Sequence, residues 1–198
     1  MNLKEYEKVK HFTYLEYCDY LQEKYGIGLC DYMTINWNKN RKVTRTKDGL
    51  IAHHKYENQA KLLSHPEQAK NHPFEWQQKE NIVYCDFLEH LFLHILICEK
   101  NPEKTDFNKI LGFGGVVEFI VPELNDVYSG WTSKEKWKNK CHNAIINDID
   151  VYIKLIKRFK TYYNNDAFVV KLLCRSRNER SGWSKENNSK IFEEIINL

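Results

Sequence analysis

Four of the chain's eight histidines fall in two tight groups, a doublet at His53-His54 and a pair four residues apart at His90 and His94. A neutral imidazole is a metal ligand and, with an unperturbed pKa of about 6.5, a proton acceptor at cellular pH. Neighbouring side chains on an extended strand point to opposite faces, so the doublet can serve two different jobs. Residues i and i+4 of a helix share one face with β-carbons roughly 5 to 6 Å apart, so His90 and His94 point the same way. The six cysteines are scattered without a CxxC pair, which leaves the histidines as the place to look for a metal. Taken singly each has a blander reading. A histidine on an apolar helix is more often a core residue bonded to backbone, and a doublet can be an exposed strand end.

The elements that must carry these groups surround them. TYLEYCDYLQEKYG reads as a helix with Thr13 as N-cap, Glu16 completing a capping box and Gly26 just past its end. Between Tyr32 and Tyr56, short apolar or β-branched runs are separated by Asn, Lys and the turn signal KDG, which predicts strands, with GLIAHH ending on the doublet. A polar stretch punctuated by Pro66 and Pro73 follows, with a short helix around EQAK, and NIVYC then makes a compact strand. DFLEHLFLHILICEK starts at once, with Asp86 and Glu89 placed as a second capping box and Asn101-Pro102 as its stop. Leu88, Leu91, Phe92, Leu93, Ile95, Leu96 and Ile97 leave that helix apolar on nearly every face, so it must be buried.

The remainder reads as largely helical. GVVEFIVPELNDVY is a helix interrupted or started near Pro122, SKEKWKNKCHNAIINDIDVYIKLIKRFKTYY is one long amphipathic candidate, and SKENNSKIFEEIINL closes the chain. LGFGGVV lacks the lysine and spacing of a P-loop, so its glycines are expected to form a bend.

With 198 residues, 42% of them apolar and 14% aromatic, the chain suits one sizeable ordered domain or two small modules sharing a core. Its charged opening MNLKEYEKVK and the lack of a membrane-length apolar run predict a soluble, cytoplasmic protein with no membrane partner. The net charge of +3 is small, but residues 107 to 198 carry 15 basic against 11 acidic side chains while residues 1 to 106 carry 15 against 16. Clusters such as NKNRKVTRTK, KEKWKNK, KLIKRFK and CRSRNER are candidate phosphate contacts, or ordinary solvated faces.

Written as spacing, the chemistry-bearing residues are H-H-x26-N-x8-H-x3-H, with Asn81 as the asparagine. This pattern resembles the HNH endonucleases of the ββα-metal (His-Me finger) superfamily, and its finger is similar to the DNase domains of nuclease colicins. The likeness covers roughly residues 49 to 100, about a quarter of the chain. It implies an α+β fold in which a ββα-metal (HNH) finger is embedded in a mainly helical domain. Residues 1–105 would hold an N-terminal helix and the nuclease core, and residues 106–198 a helical region that docks DNA or packs on the core.

By the same resemblance the protein would be a metal-dependent endonuclease that hydrolyses DNA. A phosphodiester resists attack because its oxygens are anionic and its leaving alkoxide is poor, so a catalyst needs a base for water and a cation for the developing charge. His54 would be the general base. His53, His90 and His94 would hold one divalent ion, with three nitrogens favouring Zn, Ni or Mn over Mg. Asn81 would keep the loop between the strands in place so that the base stays aimed. Two differences from the colicin finger stand: the loop before Asn81 is longer, and the glutamate that there orients a phosphate-binding arginine is here Ile51. Arg45, Lys47 and Lys55 are the substitutes nearest in sequence for contacting nucleic acid. His65 and His72, each followed by proline in the inserted loop, read as surface turn residues, with extra metal ligands the lesser alternative. Paired cuts across a palindrome would call for a homodimer, and the C-terminal region could equally meet a protein inhibitor. The competing expectation is a non-catalytic module that binds nucleic acid or protein and uses its metal to staple the fold.

Overall fold

Side chains that return to their own backbone set where the two helices around the histidines begin. In the computed structural model, which describes residues 1–101, 103 and 105–198, a short α1 (Leu3–Val9) leads into α2 (Tyr14–Tyr25). The Thr13 backbone N–H donates to Glu16 Oε2 at 2.7 Å while Glu16 N–H returns to Thr13 Oγ1 at 3.4 Å, and Gly26 ends the helix with φ +82°. After the doublet's strand β1 (Ile51–His54) come the four-residue α3 (Pro66–Ala69), strand β2 (Ile82–Cys85) and α4 (Phe87–Glu99). Asp86 and Glu89 close the second capping box at 2.8 Å in both directions. Pro102, half of the expected stop, lies outside the described residues; α4 ends at Glu99 with Lys100 as its cap.

The two strands pair antiparallel with Ile51 opposite Cys85 and His54 opposite Ile82. Between Tyr32 and Tyr56 the strands expected from sequence reduce to β1 and single bridges, Met33 with Lys39 and Arg45 with Ile51 across the KDG turn. Polar residues hold this stretch locally instead: Thr34 Oγ1 accepts from Asn38 N–H and Thr46 Oγ1 from both Asp48 and Leu50 N–H.

Beyond α4 a π-helix over Gly115–Ile120 runs directly into α5 (Val121–Tyr128), with Pro122 at the junction where the hydrogen-bond pattern changes from π to α. Of the glycines expected to bend the chain, Gly112 does so with φ +82°, whereas Gly114 and Gly115 are helical. The long amphipathic candidate is two helices, α6 (Lys136–Asn143) and α7 (Ile149–Tyr162). The break has a local cause, since Ile145 is buried and its carbonyl accepts the Tyr128 hydroxyl at 2.9 Å instead of continuing a helix. α8 (Ala167–Leu173) and α9 (Ser189–Asn197) follow.

α4 lies at the centre of the result. Leu88, Leu91 to Ile95 and Cys98 are buried, and the π-helix and α7 pack against it from the C-terminal half. One apolar cluster therefore runs from Tyr14, Tyr17 and Leu21 through α4 to Val116, Ile120, Leu155 and Phe159. Among the described residues all six cysteines are free, and no helix is long and apolar enough to cross a membrane.

Candidate metal centre

Strand β1, the turn after it and α4 bring four donors to one point. His53 and Glu57 come from β1 and the 3₁₀ turn Lys55–Asn58, and His90 and His94 from successive turns of α4; one donor atom of each lies within 4.8 Å of the others. His94 Nε2 is 3.2 Å from His90 Nε2 and 3.4 Å from Glu57 Oε2, which is 3.6 Å from His53 Nδ1. A tetrahedral ion with bonds of about 2.0 to 2.1 Å sets its donors about 3.3 Å apart. The group His53, Glu57, His90 and His94 could thus hold a metal ion with small adjustments.

Neighbouring side chains select which nitrogen of His53 faces the cluster. The Tyr14 hydroxyl has carbonyl acceptors in Lys55 at 3.0 Å and His54 at 3.3 Å, and it meets His53 Nε2 at 2.9 Å. With the hydroxyl hydrogen given to a carbonyl, Nε2 carries the ring proton and Nδ1 is left as a bare lone pair. Nδ1 of His53 is buried and has no hydrogen-bond partner among the described residues. A buried nitrogen without a partner is costly unless something else binds it, and an ion at the cluster would.

The electrostatics suit a cation. Burial pushes His53 down to about 3, against the pull of Glu57, and holds His90 and His94 below their ordinary value as well. Glu57 lies below the usual carboxylate range: burial would raise it, but His53, with His54 and His94, outweighs that. Three neutral rings around one carboxylate leave the site with net negative charge.

His54, on the other face of β1, turns away from the cluster yet touches the same carboxylate, with Nδ1 3.5 Å from Glu57 Oε1. Its Nε2 faces Gln77 Oε1 at 3.2 Å, and the Gln77 amide nitrogen donates to the Leu63 carbonyl at 3.3 Å. That second bond fixes which end of the amide meets the ring; an oxygen can only accept, so Nε2 holds the proton and Nδ1 the lone pair. His54 is 1% exposed, with Tyr32 against its ring at 4.3 Å between centroids.

Asn81 does not touch the cluster. Its amide nitrogen donates to the Glu75 carbonyl at 2.7 Å, tying the end of the inserted loop to the start of β2. Inside that loop Trp76 is sandwiched between Tyr56 at 4.8 Å and His72 at 4.9 Å, and His65 caps α3; neither His65 nor His72 joins the donor group.

Three of the four donors open into a cleft of about 540 Å³ walled by Glu57, His90, His94 and Tyr32 on one side and by the π-helix and α8 on the other, while His53 lies behind them. Gly115 passes so close to His94 that a β-carbon there would overlap Nδ1 and Cε1 of the ring. Arg45, Lys47 and Lys55 do not line this cleft. Arg45 lies over the Trp137 ring at 4.2 Å, the Lys47 carbonyl accepts from Lys140, and Lys55 pairs with Asp19 at 2.5 Å.

Sequence reasoning missed Glu57, Gln77 and Tyr14. Only Glu57 carried a signal, standing four residues after His53 so that one tight turn returns it to the strand end. Comparison with family models, curated proteins and solved structures returns no match to this chain.

Proposed function

We infer that this protein is a metal-dependent endonuclease of the HNH type that hydrolyses phosphodiester bonds in DNA. One observation carries the reading: a single carboxylate, Glu57, reaches a three-histidine cluster with one oxygen and lies 3.5 Å from Nδ1 of His54 with the other, a nitrogen that makes no hydrogen bond among the described residues. A base and a cation site therefore lie side by side, which is what hydrolysis of an anionic ester requires. The order of β1, inserted loop, β2 and α4 agrees with a ββα finger.

Glu57 fills the position that three histidines alone would leave open, so an ion held there would supply Lewis acidity towards a phosphate oxygen only by taking a fifth ligand. His53, His90, His94 and Glu57 would hold it, three nitrogens and an oxygen that suit Zn, Ni or Mn better than Mg. His54 takes the proton of the attacking water on Nδ1, and Gln77 keeps it in the tautomer able to do so. Asn81 acts at a distance by fixing the loop that carries Gln77.

The burial of His54 under Tyr32 favours a second reading, in which the ion staples β1 to α4 and the surface binds nucleic acid or protein without cutting it. Incubating the purified protein with plasmid DNA and Mn, Ni, Zn or Mg separates the two. Nicking by wild type that His54→Ala abolishes, with metal content retained, supports the nuclease. Nicking unchanged in His54→Ala removes that residue from the mechanism, and no nicking with any ion selects the second reading.

A further inference from the structure

Beside the metal centre lies a surface that no step above uses. The cleft is walled by aromatic rings as well as by ligands: Phe107 stacks on Phe113 at 4.6 Å and on Phe168 at 5.6 Å, and Phe119 completes the rim. Phe119 and Phe168 are 52% and 53% exposed. The cleft shares Glu118 and Leu172 with a second groove of about 610 Å³ running between α5 and the segment after α8. Lys171, Arg175, Arg177, Arg180 and Lys185 line that groove against two acidic side chains, Glu118 and Glu179. Arg177 joins the two surfaces, with its guanidinium 5.5 Å above the Phe119 ring. Lys171 and Arg180 are exposed and form no ion pair with a described residue.

We propose that this continuous track binds single-stranded DNA, with phosphates in the basic groove and unpaired bases on Phe119 and Phe168, so that the strand enters the cleft at His90 and His94. The proposal rests on the nuclease reading for its substrate. A duplex presents phosphates and groove edges outwards and keeps the faces of its bases buried in the stack, so it has nothing to lay on exposed phenyl rings. An unpaired strand offers both a charged backbone and free aromatic faces, the two surfaces found here side by side. An apolar protein segment would fit the rings but leave Lys171 and Arg180 without partners, and a duplex would fit the cations but not the rings.

The test is fluorescence anisotropy with a labelled 12-nucleotide DNA, single-stranded or annealed to its complement, titrated with the full-length protein across a range of salt. The same samples are then run on a denaturing gel. The single strand is expected to bind at least about tenfold tighter than the duplex. The double variant Phe119→Ala/Phe168→Ala should lose about tenfold or more in affinity while its circular-dichroism spectrum stays that of wild type, a check needed because Phe168 also stacks on Phe107. Arg180→Ser should lower the salt slope by about 0.7. Duplex bound as tightly as the single strand, or an unchanged affinity in the double phenylalanine variant, overturns the proposal. Binding with the expected preference but an intact oligonucleotide on the gel would sustain the track and remove the nuclease. Cleavage without preference would do the reverse.

Discussion

Glu57 Oε2 stands 3.6 Å from His53 Nδ1, four residues apart in sequence, because the chain leaves β1 through a single 3₁₀ turn that folds the carboxylate back beneath the strand end. This makes Glu57 a donor to the cluster, and its charge is the reason a cation would prefer the site to water.

Metal content should follow the four donors. Wild type is expected to hold one divalent ion per chain by elemental analysis, and Glu57→Ala, His90→Ala or His94→Ala to hold markedly less. At an ion concentration 100-fold above Kd, binding adds about 2.7 kcal/mol, a rise in melting temperature of roughly 5 to 10 °C that the donor variants should lack. Equal occupancy in wild type and variants would show that the ion sits elsewhere.

The base and its positioning residue should separate kinetically. His54→Ala is expected to lower the cleavage rate by about 10² to 10⁴ while sparing metal content. Gln77→Leu keeps the volume of a fully buried side chain but removes the acceptor for His54 Nε2, and should lower the rate by a smaller factor, about 10- to 100-fold. A Gln77→Leu enzyme with the wild-type rate and pH profile would exclude the tautomer role.

Gly115 should tolerate no side chain. In Gly115→Ala the new β-carbon meets the His94 ring, so either the π-helix or the ligand must move. The expected result is a destabilisation of about 1 to 3 kcal/mol by denaturant titration, together with weakened metal binding. Gly114→Ala, where a β-carbon meets nothing within 4 Å, is the control and should leave metal affinity unchanged.

Acid should weaken the metal-free fold. His53 titrates at about 3 in the folded protein and near 6.5 once unfolded, so the unfolded chain binds more protons throughout that interval. Stability is therefore full above about pH 6.5 and falls as the pH drops towards 3, by up to about 1.4 kcal/mol per unit from this residue alone. Melting curves in chelator from pH 7.5 to 4.5 check the sign. His53→Asn should flatten the dependence, and an unchanged slope would mean that other groups carry it.

The capped starts of α2 and α4, the strand ending on His54 and the burial of α4 were legible because each rests on short-range chemistry, a cap, a turn or a periodicity. Gln77 and Tyr14 were not legible. Their roles come from side chains meeting His54 and His53 across 23 and 39 residues, and no local pattern encodes such a meeting. The division of the long C-terminal helix was hidden for a related reason, since it depends on the Tyr128 hydroxyl capturing a carbonyl 17 residues away. Arg45 and Lys55 were singled out by nearness along the chain, but Trp137 and Asp19 occupy them, while the arginines that face the cleft's neighbouring groove lie more than 120 residues beyond the doublet.

The central position of α4 bears on modularity. Its outer surface is sealed by Val116, Ile120, Leu155 and Phe159, all from the second half of the chain. Produced alone, residues 1–105 are expected to precipitate, with that greasy flank laid bare to solvent. The histidine unit is thus no cassette to be cut out and spliced onto another scaffold, because the helix that carries two of its four donors is roofed by residues from beyond it.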